Sequence, residues 1–409
     1  MALSIKVFGP TVFAVRLPSV IMHAIISLFI YEIGAIVWSK RTGFYGALIF
    51  AVSSYPLELI VGKYATDHND VAFLFYTIAS FWAWFNYEKE KKWQWLILIG
   101  VFSGFAVLNK WLLGLLVFVA WGVVKITTNR DELFKVNSYF AIILAISISL
   151  LVFIPWQIYS FSQYPIEASH EFSYNAKHLF EAIEGHSGEW DFYFTKGFKK
   201  LYGDSYIILF LVIVATIFSI LKIRFFKHKI FLAFLIIFVY TFFSLVATKM
   251  ISYPLIVFPI ICLTIGYLID QISYLFQNKK TSSLATVVVL LIVCYAFFNY
   301  EVLYHHHIKN RKLDSHNLIS EFSELKMIET LDRYLLKENY ILFNSSITPY
   351  GHIPVLFFTN YESYSFIPKE GQITQLKERG FKIACLNTGN LPHYILEDKT
   401  IRIIPIPKR

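Results

Sequence analysis

The chain has 409 residues, of which 56% are apolar, 18% aromatic and only 16% charged, with a formal net charge of +9. Aromatic residues outnumber all acids and bases together, a balance that excludes an ordinary soluble domain and points to an integral membrane protein. An excess of lysine and arginine would suit nucleic acid in a soluble chain, but here most of it falls in short loops between apolar runs and reads as a topology signal.

Taken in order, the apolar runs are Phe13–Trp38, Phe44–Val61, Val71–Tyr87, Trp93–Leu108, Trp111–Ile126, Tyr139–Ser160, Tyr206–Leu221, Ile230–Ala247, Tyr253–Ile269 and Leu284–Tyr300. Some are short, but a span needs about 17–25 residues, so the expectation is an α-helical polytopic protein with about ten transmembrane helices. None of the runs has the build of a signal peptide. After Tyr300 the pattern changes. Leu313–Lys337 has the spacing of an amphipathic helix, and Tyr340–Phe343, Phe381–Leu386 and Ile401–Ile404 read as short strands, with Pro405 closing the last. The expected division is a membrane domain over residues 1–304, with a long loop at about 161–205, and a small α/β domain over 305–409. Cys262, Cys294 and Cys385 lie in apolar runs or a strand, so no disulfide is expected.

Loop charge sets the orientation. One set of loops carries fourteen lysines and arginines and the alternate set seven, including the long loop. The richer set is therefore cytoplasmic, and both chain ends and the α/β domain lie outside. An external N-terminus is unexpected, because nothing precedes Val7–Arg16 to carry it across. Either these residues insert unaided or a leading helix is absent from this chain.

The chemically promising residues then share the outer face. Gly62–Phe73 places Asp67, His68 and Asp70 at the mouth of an apolar run, where charge is cheaper than at mid-bilayer. Asp67 and Asp70 would lie on one face of a helix starting there, and helix capping is the plainer explanation of both. Lys110 and Lys249 each stand almost alone between two outer spans. Each has two readings, a snorkelling side chain or a point charge that neutralises a lipid phosphate, and Arg16 shares them. In the long loop, Gly185–Tyr193 sets His186, Trp190 and Asp191 among glycines and aromatics, as a wall for a sugar or isoprenoid would need; an interfacial anchor is the alternative. His170, His178 and His186 are spaced by eight with carboxylates between, a set that suits a divalent metal in type though not in spacing. The His305–His307 run and the Asn344–Ser346 sequon carry little.

These residues resemble a known family. Phe8–Gly9–Pro10 with Phe13–Ser19, then Thr66–Asp67 and Asp70–Phe75, then Asn109–Gly114, then Lys249 with Tyr253–Pro254 are similar, in that order, to short motifs of the GT-C glycosyltransferases related to protein O-mannosyltransferases and the lipid A aminoarabinose transferase. The resemblance runs from about Val7 to Ile269. It implies a GT-C-like fold and a polyprenyl-phosphate-linked sugar donor, with an acceptor lipid, glycan or protein on the outer face of what would be a bacterial cytoplasmic membrane. It further implies a carboxylate base, with Asp70 ahead of Asp67, and a donor-phosphate site built from Lys110, Lys249, Tyr253 and Arg16. Some members bind a divalent metal, for which Asp70 and His68 are the candidates. Members also begin with a cytoplasmic helix and an acidic outer loop that supplies the principal base, so a shortened chain or a misplaced start is expected here. The competing readings are a transporter, disfavoured because His23 is the one titratable group near a midplane, and an inactive relative that binds a lipid-linked sugar.

Overall fold

The computed structural model describes residues 1–61, 68–128, 135–183, 185–202, 206–275, 278–298, 326, 328–331, 333–335, 339–345 and 352–405. The chain divides into two compact units, Arg16–Tyr300 and a second formed by Met1–Val15 with Glu301–Arg409.

Over its described residues the larger unit is mainly helical. After α1 (Ala2–Phe8), which lies in the other unit, come α2 (Val12–Val37), α3 (Lys40–Val52), α4 (Ser54–Val61), α5 (His68–Glu90), α6 (Trp93–Lys110), α7 (Leu116–Thr128), α8 (Phe140–Gln163), α9 (Pro165–Lys177), α10 (Phe198–Tyr202), α11 (Tyr206–Leu221), α12 (Phe226–Leu245), α13 (Phe258–Ile272) and α14 (Lys279–Phe298). Over its described residues, each apolar run read from the sequence is mostly helical. By length and apolarity alone, six helical stretches among the described residues qualify as spans, or seven when α3 and α4, bent by 46°, count as one. That is fewer than ten for three reasons. The stretch Trp93–Thr128 is counted once, α11 has only 16 residues, and α5 carries Asp70, Asn86 and Glu88 in its 23 residues.

The Trp93–Thr128 stretch is in fact a hairpin. Trp111 takes a left-handed φ of 60°, and the chain folds back through a short 3-10 turn over Trp111–Leu115. Ser103 Oγ donates to the Gly114 carbonyl at 2.7 Å, a closure that a straight helix across eleven residues would make impossible at about 1.5 Å per residue. Gly114 has no side chain for a plain reason: a Cβ there would sit 2.4 Å from the Val107 nitrogen. The expected turn at Asn109–Trp111 is therefore present, with Lys110 at its tip.

Close backbone approach also fixes α3 against α13. A Cβ on Gly46 would meet Leu263, and one on Gly266 would lie 2.6 Å from the Gly46 nitrogen. Small residues permit this kind of contact where lipid, unlike water, gives apolar side chains no drive to associate. Ser39 and Thr42 at the start of α3 donate hydroxyls to the buried carboxylate of Asp270 at the end of α13, at 2.7 and 3.2 Å. His23, the midplane histidine, is 7% exposed and stacks on Phe50 with ring centroids 4.7 Å apart. It is a packed core residue.

In the smaller unit a four-stranded, wholly parallel sheet has the order β2-β1-β3-β4, from β1 (Tyr340–Phe343), β2 (Glu362–Ser363), β3 (Lys382–Asn387) and β4 (Arg402–Pro405). Parallel neighbours need crossovers, supplied in turn by α15 (His352–Phe358), α16 (Glu370–Glu378) and α17 (His393–Leu396). Alternation along β1 and β3 buries both faces. Leu342, Ala384 and Leu386 pack with Leu331 and Leu335 on one side, and Ile341, Phe343, Ile383 and Cys385 pack with Ile373 and Ile395 on the other. The three strands read from the sequence are present within one residue; β2, only two residues long, was too short to carry a pattern. Burial pushes the Cys385 thiol up to about 12, and all three cysteines are free.

Asp398, held by Lys377 and Thr400, is lowered from 3.8 to about 2. A carboxylate depressed on folding stabilises above its unfolded pKa and loses that contribution as pH falls towards its folded one. The smaller unit is thus expected to lose stability between about pH 4 and pH 2, and an Asp398→Asn variant to lose less over that window in an acid titration followed by circular dichroism.

Candidate functional site

α5 begins with polar residues because Asn and Asp suit a helix start, and an acid in the first turn favours the dipole. Asp70 in that first turn does something further. It is 4% exposed, and its Oδ1 takes the ammonium of Lys110 from the hairpin tip. Its Oδ2 is buried and has no partner among the described residues. Lys110, with its side chain 23% exposed, also lies over the ring of Tyr253, 5.7 Å from the centroid, a cation–π contact. Tyr253 stacks on Phe243 at 4.5 Å and opens the turn that leads into α13. Asp70, Lys110, Ser252, Tyr253 and Phe243 line a small cleft.

Lys249 lies close by and is differently employed. It is 4% exposed, and its ammonium donates to the carbonyls of Phe243, Ser244 and Val246 at 2.9, 2.6 and 2.5 Å. These belong to the last turn of α12 and the residue after it, where helical carbonyls lack partners. An ammonium has three protons, so in this arrangement Lys249 caps α12 and reaches the cleft through its field. Burial pushes its pKa below the ordinary lysine value. Its ammonium also lies 5.9 Å from the ring centroid of Tyr193, which is itself buried with its phenol pushed up.

The long loop is stitched to the same segment. Ala247 and Thr248 amides donate to the Leu179 and His178 carbonyls, and the Lys249 amide donates to the His186 carbonyl at 2.9 Å. The Thr248 hydroxyl donates to the Glu181 carbonyl at 2.8 Å. His186 thus joins the site through its backbone. Trp190 is 71% exposed, and Asp191 contributes its carbonyl to the turn that follows, accepting from Phe194 and Thr195. Arg16 donates to the Ile60 carbonyl at 3.2 Å, near the end of α4, and does not line the cleft. Asp67 lies outside the described residues, as does the His68 side chain. Among the described residues no three metal-ligating side chains converge.

Sequence reading missed three members of this neighbourhood. Glu58 on α4 is 1% exposed and pairs with Lys200 of α10 at 3.1 Å, and Tyr55 lies within electrostatic reach of both Asp70 and Glu58. The available signal was a glutamate in the otherwise uncharged run Ser54–Val61, an expensive placement without a partner.

Residues 1–159 match the family model for dolichyl-phosphate-mannose-protein mannosyltransferase. No curated protein sequence matches the chain. Among solved structures, ArnT from Cupriavidus metallidurans bound to undecaprenyl phosphate superposes with a TM-score of 0.60 at 12% identity, covering 99% of this chain and 77% of that one. The apo state of the same protein gives 0.60 at 13% identity, covering 92% and 79%. Over its first 159 residues the chain carries the sequence pattern of the dolichyl-phosphate-mannose-protein mannosyltransferase family, and it has an ArnT-like GT-C fold.

Proposed function

We propose that the chain is a membrane glycosyltransferase that moves a sugar from a polyprenyl-phosphate donor to an acceptor, with the reaction at the Asp70–Lys110 cleft. The observation that supports this best is the pairing of a buried carboxylate with a hairpin-tip lysine over Tyr253, in a chain with that family pattern and fold. The ArnT structure that holds undecaprenyl phosphate gives the lipid class.

In this reading the donor phosphate draws the Lys110 ammonium away from Asp70 and frees a carboxylate. Asp70 then takes the proton of the acceptor hydroxyl as its oxygen bonds to the anomeric carbon. The bond from that carbon to the phosphate oxygen breaks, and the departing polyprenyl phosphate keeps its negative charge opposite Lys110. Asp67 is the second candidate base; Tyr253 lines the cleft beside Lys110, Lys249 lends positive field from the end of α12, and Arg16, the remaining candidate for the donor phosphate, is held on the Ile60 carbonyl outside the cleft. Between α11 and α12 an apolar cavity of about 450 Å³, lined by Phe194, Phe198, Tyr240 and aliphatic residues, begins one helical turn from Phe243 and suits a polyprenyl chain. His186, Trp190 and Asp191 stand where a sugar or acceptor would approach. Loop charge supports an orientation with this end of the bundle outside the cytoplasmic membrane, and by the same count the α/β domain after a boundary at about residue 304 is read as extracytoplasmic.

A Lys110→Ala variant is expected to bind undecaprenyl phosphate about tenfold more weakly, a loss of about 1.4 kcal/mol, in a titration by native mass spectrometry. Unchanged affinity would remove Lys110 from the donor site.

A further inference from the structure

At the other end of α5, some twenty residues and therefore about 30 Å from Asp70, the bundle holds a second site-like feature. A cavity of about 1050 Å³ opens between the ends of α2, α5, α7 and α12, with Lys40, Lys89, Lys91 and Lys227 in its wall. Two carboxylates share it, Glu32 and Glu88. Glu88 is already neutralised: its side chain is 8% exposed and holds Lys91 at 2.7 Å and Lys227 at 3.4 Å. Lys40 and Lys89 are exposed and have no ion pair among the described residues. The wall also contains His228, 6% exposed, whose Nδ1 is buried and has no hydrogen-bond partner among the described residues. Beside these polar groups the wall continues into Ile36, Phe225 and Phe226, the last two more than half exposed.

A cluster of cations, an unsatisfied buried imidazole and an adjoining apolar face have different needs. A free anion would satisfy only the first two. A phospholipid satisfies all three, with its phosphate among the lysines and its acyl chains along the phenylalanines, and basic pockets between helix ends hold anionic headgroups elsewhere. We infer that this cavity binds the phosphate headgroup of an anionic phospholipid, at a site separate from the Asp70–Lys110 cleft. Four lysines against two glutamates leave it net positive, and Lys40 and Lys89 are the two without an ion pair among the described residues.

The test is thermal unfolding of the purified chain in neutral detergent, followed by tryptophan fluorescence. Phosphatidylglycerol, phosphatidylcholine or inorganic phosphate is added at equal phosphate concentration. Phosphatidylglycerol is expected to raise the midpoint by several degrees, and a Lys40→Ala/Lys89→Ala variant to need at least tenfold more lipid for the same shift. Lys110→Ala, at the opposite end, is expected to respond as the parent does, which separates this site from the donor cleft whether or not that assignment holds. An equal shift with phosphatidylcholine, the same shift with phosphate alone, or an undiminished response in the double variant would each overturn the inference.

Discussion

An Asp70→Asn variant is expected to lose sugar transfer from a polyprenyl-phosphate donor by between about 100-fold and 10,000-fold, the usual worth of a general base, while inserting and folding as the parent does. The substitution keeps the shape of a side chain that is 4% exposed, so the local packing is retained. It removes the carboxylate charge that pairs with Lys110. An amide oxygen can still accept from that ammonium but cannot accept a proton from an acceptor hydroxyl. The measurement is transfer in proteoliposomes, with the circular-dichroism spectrum and gel-filtration profile as controls on folding. Transfer at the parent rate would dismiss Asp70 as the base. Because Asp70 is also the partner of Lys110, binding of undecaprenyl phosphate should be measured in the same variant. The proposed exchange of partners predicts that binding survives, or tightens, when Lys110 no longer has to leave a carboxylate.

Lys249→Met carries the second large effect, and it falls on stability. The ammonium satisfies three carbonyls at the end of α12, and a buried polar group left without a partner costs about 1–3 kcal/mol. Relaxation and water recover part of that, so a loss of about 3 kcal/mol is expected, read as a lower unfolding midpoint and faster amide exchange near Val246–Lys249. The loop tied to this segment through the His186 and His178 carbonyls should loosen with it. Lys249→Arg is expected to recover little, because a planar guanidinium fork cannot converge on three carbonyls as a compact ammonium does. If Lys249→Met keeps full stability and loses only donor binding, the capping role is wrong and the lysine serves as a direct phosphate ligand.

Two lysines of equal appearance in the sequence thus have different employment. Lys110 and Lys249 both stand nearly alone between apolar runs, and nothing local distinguishes them. Lys110 ends α6, where the left-handed Trp111 turns the chain and points the tip at α5. Lys249 follows α12 closely enough to fold back on that helix's own carbonyls. Glu58 shows the same limit from the acidic side. In the sequence it is one carboxylate near a helix end, and Lys200 is one of several loop charges; only packing of α4 against α10 makes them a pair.

What the amino-acid order determined alone was whatever depends on neighbours in the chain. Hydropathy made the apolar runs helical because every backbone polar group must be satisfied within its own segment in lipid. The turn at Asn109–Trp111 and the strand at Tyr340–Phe343 were equally legible, since turn chemistry and alternation act over a few residues. The tertiary structure alone decided which charges meet. Asp70 and Lys110 are forty positions apart, and an ion pair depends on the distance between its charges in space, a quantity that sequence spacing leaves free until the helices have packed.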